Sequence, residues 1–367
     1  MKLNQIEARL PAWYAASVEP DGPSFYLTSK PGRGKSSVLR EAPRLLEKAF
    51  GDGNYGFVCL NGACLTLATA SGYLWPVEGA AGATYSRFTR PDWWMTKENK
   101  PLEDYVGGVI LIDEEDKLGL DEKKIVGEAA LSKRFASHQL PDGWVVWFAG
   151  NGSGDRSGST KKFDHLINRR NEIKIDDDIV SWLDWARTKG SCLPETMVFA
   201  EENPHIVFQD APEVQGPWCT PRSLSQQDIY LRGLMGVFGT DMIPIDPTTI
   251  EEVAGGIGSG AAAQLFNTIR LGQELPSYQE ILANAGTIRV PVKPDAMRLA
   301  AYKMAAQVKA EEAKQVITYI GRFPDEFQVI FAKMAVSRHK ALVVQKDFAA
   351  WCGKNSGLLA VLGQFGK

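Results

Sequence analysis

Ser29-Lys30-Pro31-Gly32-Arg33-Gly34-Lys35-Ser36 follows the short apolar run Ser24-Phe25-Tyr26-Leu27 and leads into a helical pattern that starts with Ser37-Val38-Leu39-Arg40. The order strand, glycine-rich turn, Lys-Ser, helix is that of a phosphate-binding loop. Small residues let backbone N–H groups curl around phosphate oxygens, Lys35 reaches the β- and γ-phosphates, and Ser36 offers a hydroxyl to Mg²⁺. Residues Ser29, Lys30, Pro31, Gly32, Arg33, Gly34, Lys35, Ser36 and Ser37 are therefore the expected nucleotide cradle. One position departs from the pattern G-x-x-x-x-G-K-[ST]: Ser29 stands where the first glycine belongs, so the opening turn is made without the most permissive residue.

A second run, Gly107-Gly108-Val109-Ile110-Leu111-Ile112, is apolar throughout and ends in Asp113-Glu114-Glu115-Asp116. Such a run suits a strand buried on both faces of a parallel sheet. With a phosphate loop upstream, Asp113 is the expected Mg²⁺ partner of Ser36, and Glu114 is placed to polarise an attacking water. Glu115 and Asp116 read as ordinary helix-start acids in a solvated turn, favoured by the helix dipole. A third buried run, Val145-Val146-Trp147-Phe148-Ala149, ends in Gly150-Asn151. Ligands of open α/β sheets sit at the carboxyl ends of strands, so Asn151 is expected beside the other two motifs, its amide orienting water.

Further segments carry a family resemblance: Ser71–Pro76 and Ala83–Met95 between the second and third strands, Ser137–Trp144 before the Asn151 strand, Asp164–Arg170, and Cys219-Thr220-Pro221-Arg222-Ser223. Together they make the chain resemble an AAA+ ATPase, and within that superfamily the MoxR-type group, over roughly residues 10–285. The resemblance implies an α/β P-loop core with a five-stranded parallel sheet, residues 1–175. An α-helical lid, 176–285, and a helical C-terminal extension, 286–367, would follow. It also implies ATP and Mg²⁺ as cofactors and a homo-oligomeric, commonly hexameric, ring. An arginine finger from a neighbour, Arg169 or Arg170, would reach each nucleotide, and Arg222 would sense it from the lid. The implied work is remodelling of a protein client, often one with a von Willebrand factor A domain. Tyr73, Leu74 and Trp75 are the candidates for gripping it in a central pore, while Trp93 and Trp94 cover the core. Two rival readings are a nucleic-acid motor or helicase loader, and a weakly hydrolysing ATP-gated scaffold.

Working outward, apolar strands at Ser24–Leu27, Gly56–Asn61, Val109–Ile112, Val145–Ala149 and Glu172–Ile175 alternate with helical or loop segments, as parallel sheets do. The N-terminal segment reads as an amphipathic helix. After Ile175 the pattern turns helical, with Asp176-Asp177-Asp178 as an N-cap cluster. Gly255–Gly260 reads as a flexible turn, and Ala296–Thr318 as helix with a locally basic tail beyond.

Composition excludes several classes. With 41 basic and 44 acidic residues in 367, the net charge is −3, which argues against bulk attraction to nucleic acid or to an anionic membrane. The five cysteines are odd in number and lack C-x-x-C spacing, so neither a disulfide framework nor a zinc site is expected; they read as buried thiols. No apolar run approaches a membrane span, no secretory signal is seen, and a cytoplasmic location is expected. That would be a host's cytoplasm if the chain, like some MoxR-like proteins of this length, is viral.

Overall fold

The computed structural model describes residues 1–51, 53–152, 170–354 and 356–365. Two compact units divide the chain, Met1–Asp178 and Ile179–Lys367.

The first unit is built on five parallel strands: β1 (Ser24–Thr28), β2 (Tyr55–Asn61), β3 (Gly107–Asp113), β4 (Trp144–Gly150) and β5 (Arg170–Lys174). Their order across the sheet is β2-β3-β4-β1-β5. Alternation along each strand supplies two apolar faces. Phe25 and Leu27 of β1, Val109 and Leu111 of β3, and Val145, Trp147 and Ala149 of β4 pack against Ile6, Leu10 and Trp13 of the helix Leu3–Val18 and Leu39 and Leu46 beyond β1. Tyr26, Ile110, Ile112, Val146 and Phe148 point the other way, onto Val126 and Ala129 of the helix Leu120–Ser132 and onto Trp93 and Trp94. Burial on both faces is why these strands read as continuous apolar runs. The chain thus adopts the expected fold class, an α/β P-loop core on a five-stranded parallel sheet followed by a helical region.

Register fixes what meets at the carboxyl edge. Leu27 pairs with Ala149 and Thr28 with Gly150, so the loop after β1 starts beside Gly150-Asn151. Ile112 pairs with Phe148, bringing Asp113 to the same edge.

The stretch between β2 and β3 holds a two-stranded antiparallel hairpin, Leu74–Glu78 with Thr84–Phe88. Trp93 and Trp94 are buried, as read, whereas Tyr73, Leu74 and Trp75 are 68%, 59% and 64% exposed. The hairpin base is tied by His138, whose Nε2 contacts the carbonyls of Ser71 and Thr89 at 3.0 and 3.1 Å.

The second unit is helical around one hydrophobic core to which residues from Trp182 to Val361 contribute. Helices on both sides of position 285 share that core, so the stretches expected as lid and extension pack together. The Gly255–Gly260 stretch is not a turn: Gly255 and Gly256 lie in the helix Pro247–Ile257, and the break falls at Gly258 (φ 84°) before the helix Ser259–Gln273.

The cysteines are free, but only Cys192, Cys219 and Cys352 are buried; Cys59 is half-buried and Cys64 exposed, which corrects the uniform reading. Burial pushes the Cys192 thiol up to about 12 and the Cys352 thiol up to about 11, holding both protonated and inert. A maleimide at pH 8 should therefore modify Cys64 first in the native chain, with Cys192 and Cys352 reacting only on unfolding, as intact mass will show.

Candidate functional site

The loop between β1 and the helix Lys35–Leu39 turns at Gly32 (φ 76°) and Gly34 (φ 86°), two left-handed positions that side chains rarely adopt. Ser29 is not among the left-handed residues, so it does not need to be glycine. Its polar atoms serve instead to hold the lysine. Lys35 Nζ donates to the Ser29 carbonyl at 2.9 Å, to Ser29 Oγ at 3.2 Å and to the Lys30 carbonyl at 3.2 Å.

A further oxygen comes from another strand. Lys35 Nζ donates to Asn151 Oδ1 at 3.0 Å, joining the phosphate loop to the end of β4. Asn151 Nδ2 in turn donates to Asp116 Oδ2 at 3.3 Å, and the Asn151 backbone N–H donates to Asp116 Oδ1 at 2.9 Å. An ammonium can only donate and a carboxylate can only accept, so the amide orientation is fixed by chemistry. One N–H and one lone pair of that amide remain for water and phosphate.

Asp113 and Glu114 are half-buried at the end of β3. Glu114 takes a left-handed conformation (φ 54°, ψ 42°), a strain of about 1–3 kcal/mol typical of residues held for a purpose. The turn is secured by the Glu114 N–H on Asp113 Oδ1 (3.0 Å) and the Lys117 N–H on the Glu114 carbonyl (2.9 Å). Ser36 and Asp113 are hard oxygen donors of the kind Mg²⁺ accepts, so the residues present fit that ion. Among the described residues no three His, Cys, Asp or Glu side chains cluster to hold a metal, so the phosphates would have to supply further ligands.

Two expectations are corrected. Glu115 and Asp116 are not solvated helix-start acids: they are 1% and 2% exposed, in the single turn Glu115–Lys117. Glu115 Oε1 pairs with Arg170 Nη1 at 3.4 Å, both side chains being buried. Arg170 is consequently not a finger that reaches a neighbour. Its guanidinium lies 4.1 Å from the Tyr26 ring centroid and 5.2 Å from that of Phe148, inside its own sheet. Arg169, the alternative finger, and the Asp164–Arg169 segment lie outside the described residues.

Arg33 ties the loop to the acidic trio 176–178. Its side chain is buried and forms an ion pair with Asp177 (Nε to Oδ1, 2.8 Å), so only its backbone is left to face a phosphate. The other carboxylates of the acidic trio are held similarly: Asp176 by the N-terminal ammonium at 3.0 Å and Asp178 by Lys2 at 3.3 Å. Arg222 belongs to the second unit, exposed in the first turn of the helix Pro221–Phe238, which Thr220 and Ser223 cap reciprocally.

Removing Arg170 would strand a buried charge. Arg170→Met is expected to destabilise the first unit by about 3–5 kcal/mol, because Glu115 loses its partner where water cannot reach. Arg170→Met with Glu115→Leu should recover most of that loss, as read by urea unfolding followed through tryptophan fluorescence.

No protein-family model matches the chain, and no curated protein matches it. Solved structures do. A candidate ATPase from Cytophaga hutchinsonii is 12% identical over 73% of this chain and 88% of that one, with a TM-score of 0.33. The Thermotoga maritima RuvB Holliday junction branch migration motor is 14% identical over 81% and 80%, with a TM-score of 0.35. NtrX from Brucella abortus is 14% identical over 90% and 67%, with a TM-score of 0.38. At such values the superpositions carry no argument of their own, and the fold assignment rests on the strand order and the loop after β1.

Proposed function

We propose that this chain is an AAA+ ATPase of MoxR-like type, coupling Mg-ATP hydrolysis to the remodelling of a protein partner from within an oligomeric ring. The observation that carries the reading is the 3.0 Å bond between Lys35 of the phosphate loop and Asn151 at the end of a neighbouring strand. It joins two of the three motifs in one network at the edge where ligands of parallel sheets bind.

The roles follow from the chemistry of each group. Backbone N–H groups of residues 29–37 and the Lys35 ammonium would bind and orient the triphosphate. Glu114, a carboxylate, would take the proton from the attacking water, and Asn151 would hold that water with its remaining donor or lone pair. Mg²⁺, held by Ser36 and Asp113, would supply charge neutralisation on the phosphate oxygens. Arg169 of an adjoining copy would meet charge developing on the transferred group, an interaction worth roughly 10³–10⁵ in rate where it has been measured in related phosphoryl transfer. Arg222 would act from the helical unit.

A protein client is favoured by the apolar base of the hairpin, where Tyr73, Leu74 and Trp75 stay in water. A von Willebrand factor A domain is the class of client to which the family resemblance points, and a cytoplasmic setting agrees with it. One observation favours a nucleic-acid client instead. Trp75 sits opposite Arg87 on the hairpin, and the Arg87 guanidinium covers the Tyr85 ring at 5.2 Å, the kinds of group on which single-stranded bases stack.

The test is Mg-dependent ATP turnover of the wild type beside Lys35→Ala and Glu114→Gln. Equal, slow rates in all three would reject hydrolysis and leave an ATP-gated scaffold. A steep, salt-sensitive stimulation by single-stranded DNA would replace the protein client with a nucleic acid.

A further inference from the structure

Asp116 reads in the sequence as an ordinary helix-start acid and has no place in the catalytic roles above, yet it makes two hydrogen bonds to Asn151. We propose that Asp116 is a positioning residue that sets which face of the Asn151 amide meets Lys35 and the reacting phosphate. The inference deepens the ATPase reading and rests on it for its kinetic consequence.

The geometry is specific. Asp116 is 2% exposed, and its two carboxylate oxygens are divided between the backbone N–H of Asn151 (2.9 Å) and its side-chain Nδ2 (3.3 Å). With Nδ2 drawn to the carboxylate, Oδ1 is necessarily turned to Lys35 Nζ. A carboxylate has no donor to offer, so the opposite amide orientation would set two acceptors against each other in a buried place. Lys117 Nζ lies 3.8 Å from Asp116 Oδ2.

The backbone has made room for this approach. A Cβ built on Gly150 would lie 2.9 Å from Asp116 Oδ1 and 2.5 Å from Tyr26 Oη, so a side chain there would push the carboxylate off the strand end. Asp116 also shares its turn with Glu114, whose carbonyl accepts the N–H of Lys117. The candidate base and the residue that aims Asn151 are thereby carried by one short segment.

Asp116→Asn keeps the shape and exchanges one acceptor for a donor. The Asn151 amide then flips, and an N–H faces the Lys35 ammonium. The expected result is a kcat lowered about 10²-fold with KM for ATP changed by less than about twofold, the split that marks a group acting in the transition state. In an Asn151→Ala background, Asp116→Asn should cost nothing more, since a residue that acts through Asn151 has nothing left to position. A purely structural Asp116 would instead give losses that add.

An activity-independent readout is the Asn151 side-chain NH₂ resonance of protein labelled with ¹⁵N-asparagine, identified by its absence in Asn151→Ala. Asp116→Asn should shift it and speed its exchange with solvent. Should Asp116→Asn fail to fold, Gly150→Ala tests the same contact by displacing the carboxylate, and the same loss of kcat and the same resonance shift are expected. An unmoved resonance with unchanged kcat in either folded variant overturns the proposal. Wild-type protein with no Lys35-dependent turnover overturns the ATPase reading instead, and the resonance then decides the positioning role alone.

Discussion

Lys35→Ala is expected to abolish tight nucleotide binding. The ammonium would supply charge-assisted hydrogen bonds to phosphate worth about 1.5–3 kcal/mol, so affinity should fall at least roughly tenfold and up to about 150-fold. A second effect adds to the first. Without Nζ, the Ser29 and Lys30 carbonyls and Asn151 Oδ1 lose the donor that gathers them, and the loop loses the contact that ties it to β4. Titration with a fluorescent ATP analogue measures the affinity. Thermal unfolding gives an independent check: ligand at about 100 times Kd stabilises the native state by about 2.7 kcal/mol, a gain the wild type should show and the variant should not. Equal affinity in the two proteins would remove the loop from the site.

The central strands were legible because their physics is local. A strand covered on both faces writes its burial into consecutive residues, as Val109–Ile112 and Val145–Ala149 do, and an abrupt polar end marks where the sheet meets solvent. Asp113, Glu114 and Asn151 could be picked out as candidates for the same reason, since each closes such a run, and Lys35 because it ends the glycine-rich turn after one. What sequence could not give was the fate of charges whose partners lie far along the chain. Glu115 and Asp116 look like solvated acids because the groups that bury them come from distant parts of the chain. The partner of Glu115 arrives with β5 and that of Asp116 with the end of β4. Arg170 was misread in the same way: two adjacent arginines look equivalent until β5 turns one of them inward. The Arg33 side chain, too, finds its partner far along the chain, in Asp177. A signal did exist for one of these. A glycine immediately before Asn151 in an otherwise bulky strand marks close approach by other groups, and those groups are the Tyr26 hydroxyl and the Asp116 carboxylate.

Glu114→Gln separates chemistry from binding. Glutamine matches the shape of glutamate but cannot take a proton from water, so kcat should fall about 10²- to 10⁴-fold, the range typical of a lost general base. Nothing in the loop of residues 29–37 depends on the Glu114 carboxylate. ATP affinity is therefore expected to stay within about threefold of wild type, a change under 1 kcal/mol. Retained ATP should also lengthen the life of any assembly that needs it: if a neighbour's Arg169 is drawn to the bound triphosphate, the unhydrolysed state holds adjoining copies together. Light scattering on the variant with Mg-ATP should then report a larger, longer-lived species than with ADP, and a client should co-purify with the ATP form. The left-handed conformation of residue 114 sharpens the comparison. Glu114→Gly would relieve the backbone strain and stabilise the fold while still losing the base, so a rate loss shared by Gln and Gly, with opposite effects on stability, assigns the defect to the carboxylate. Turnover in Glu114→Gln equal to that of the wild type would place the base elsewhere.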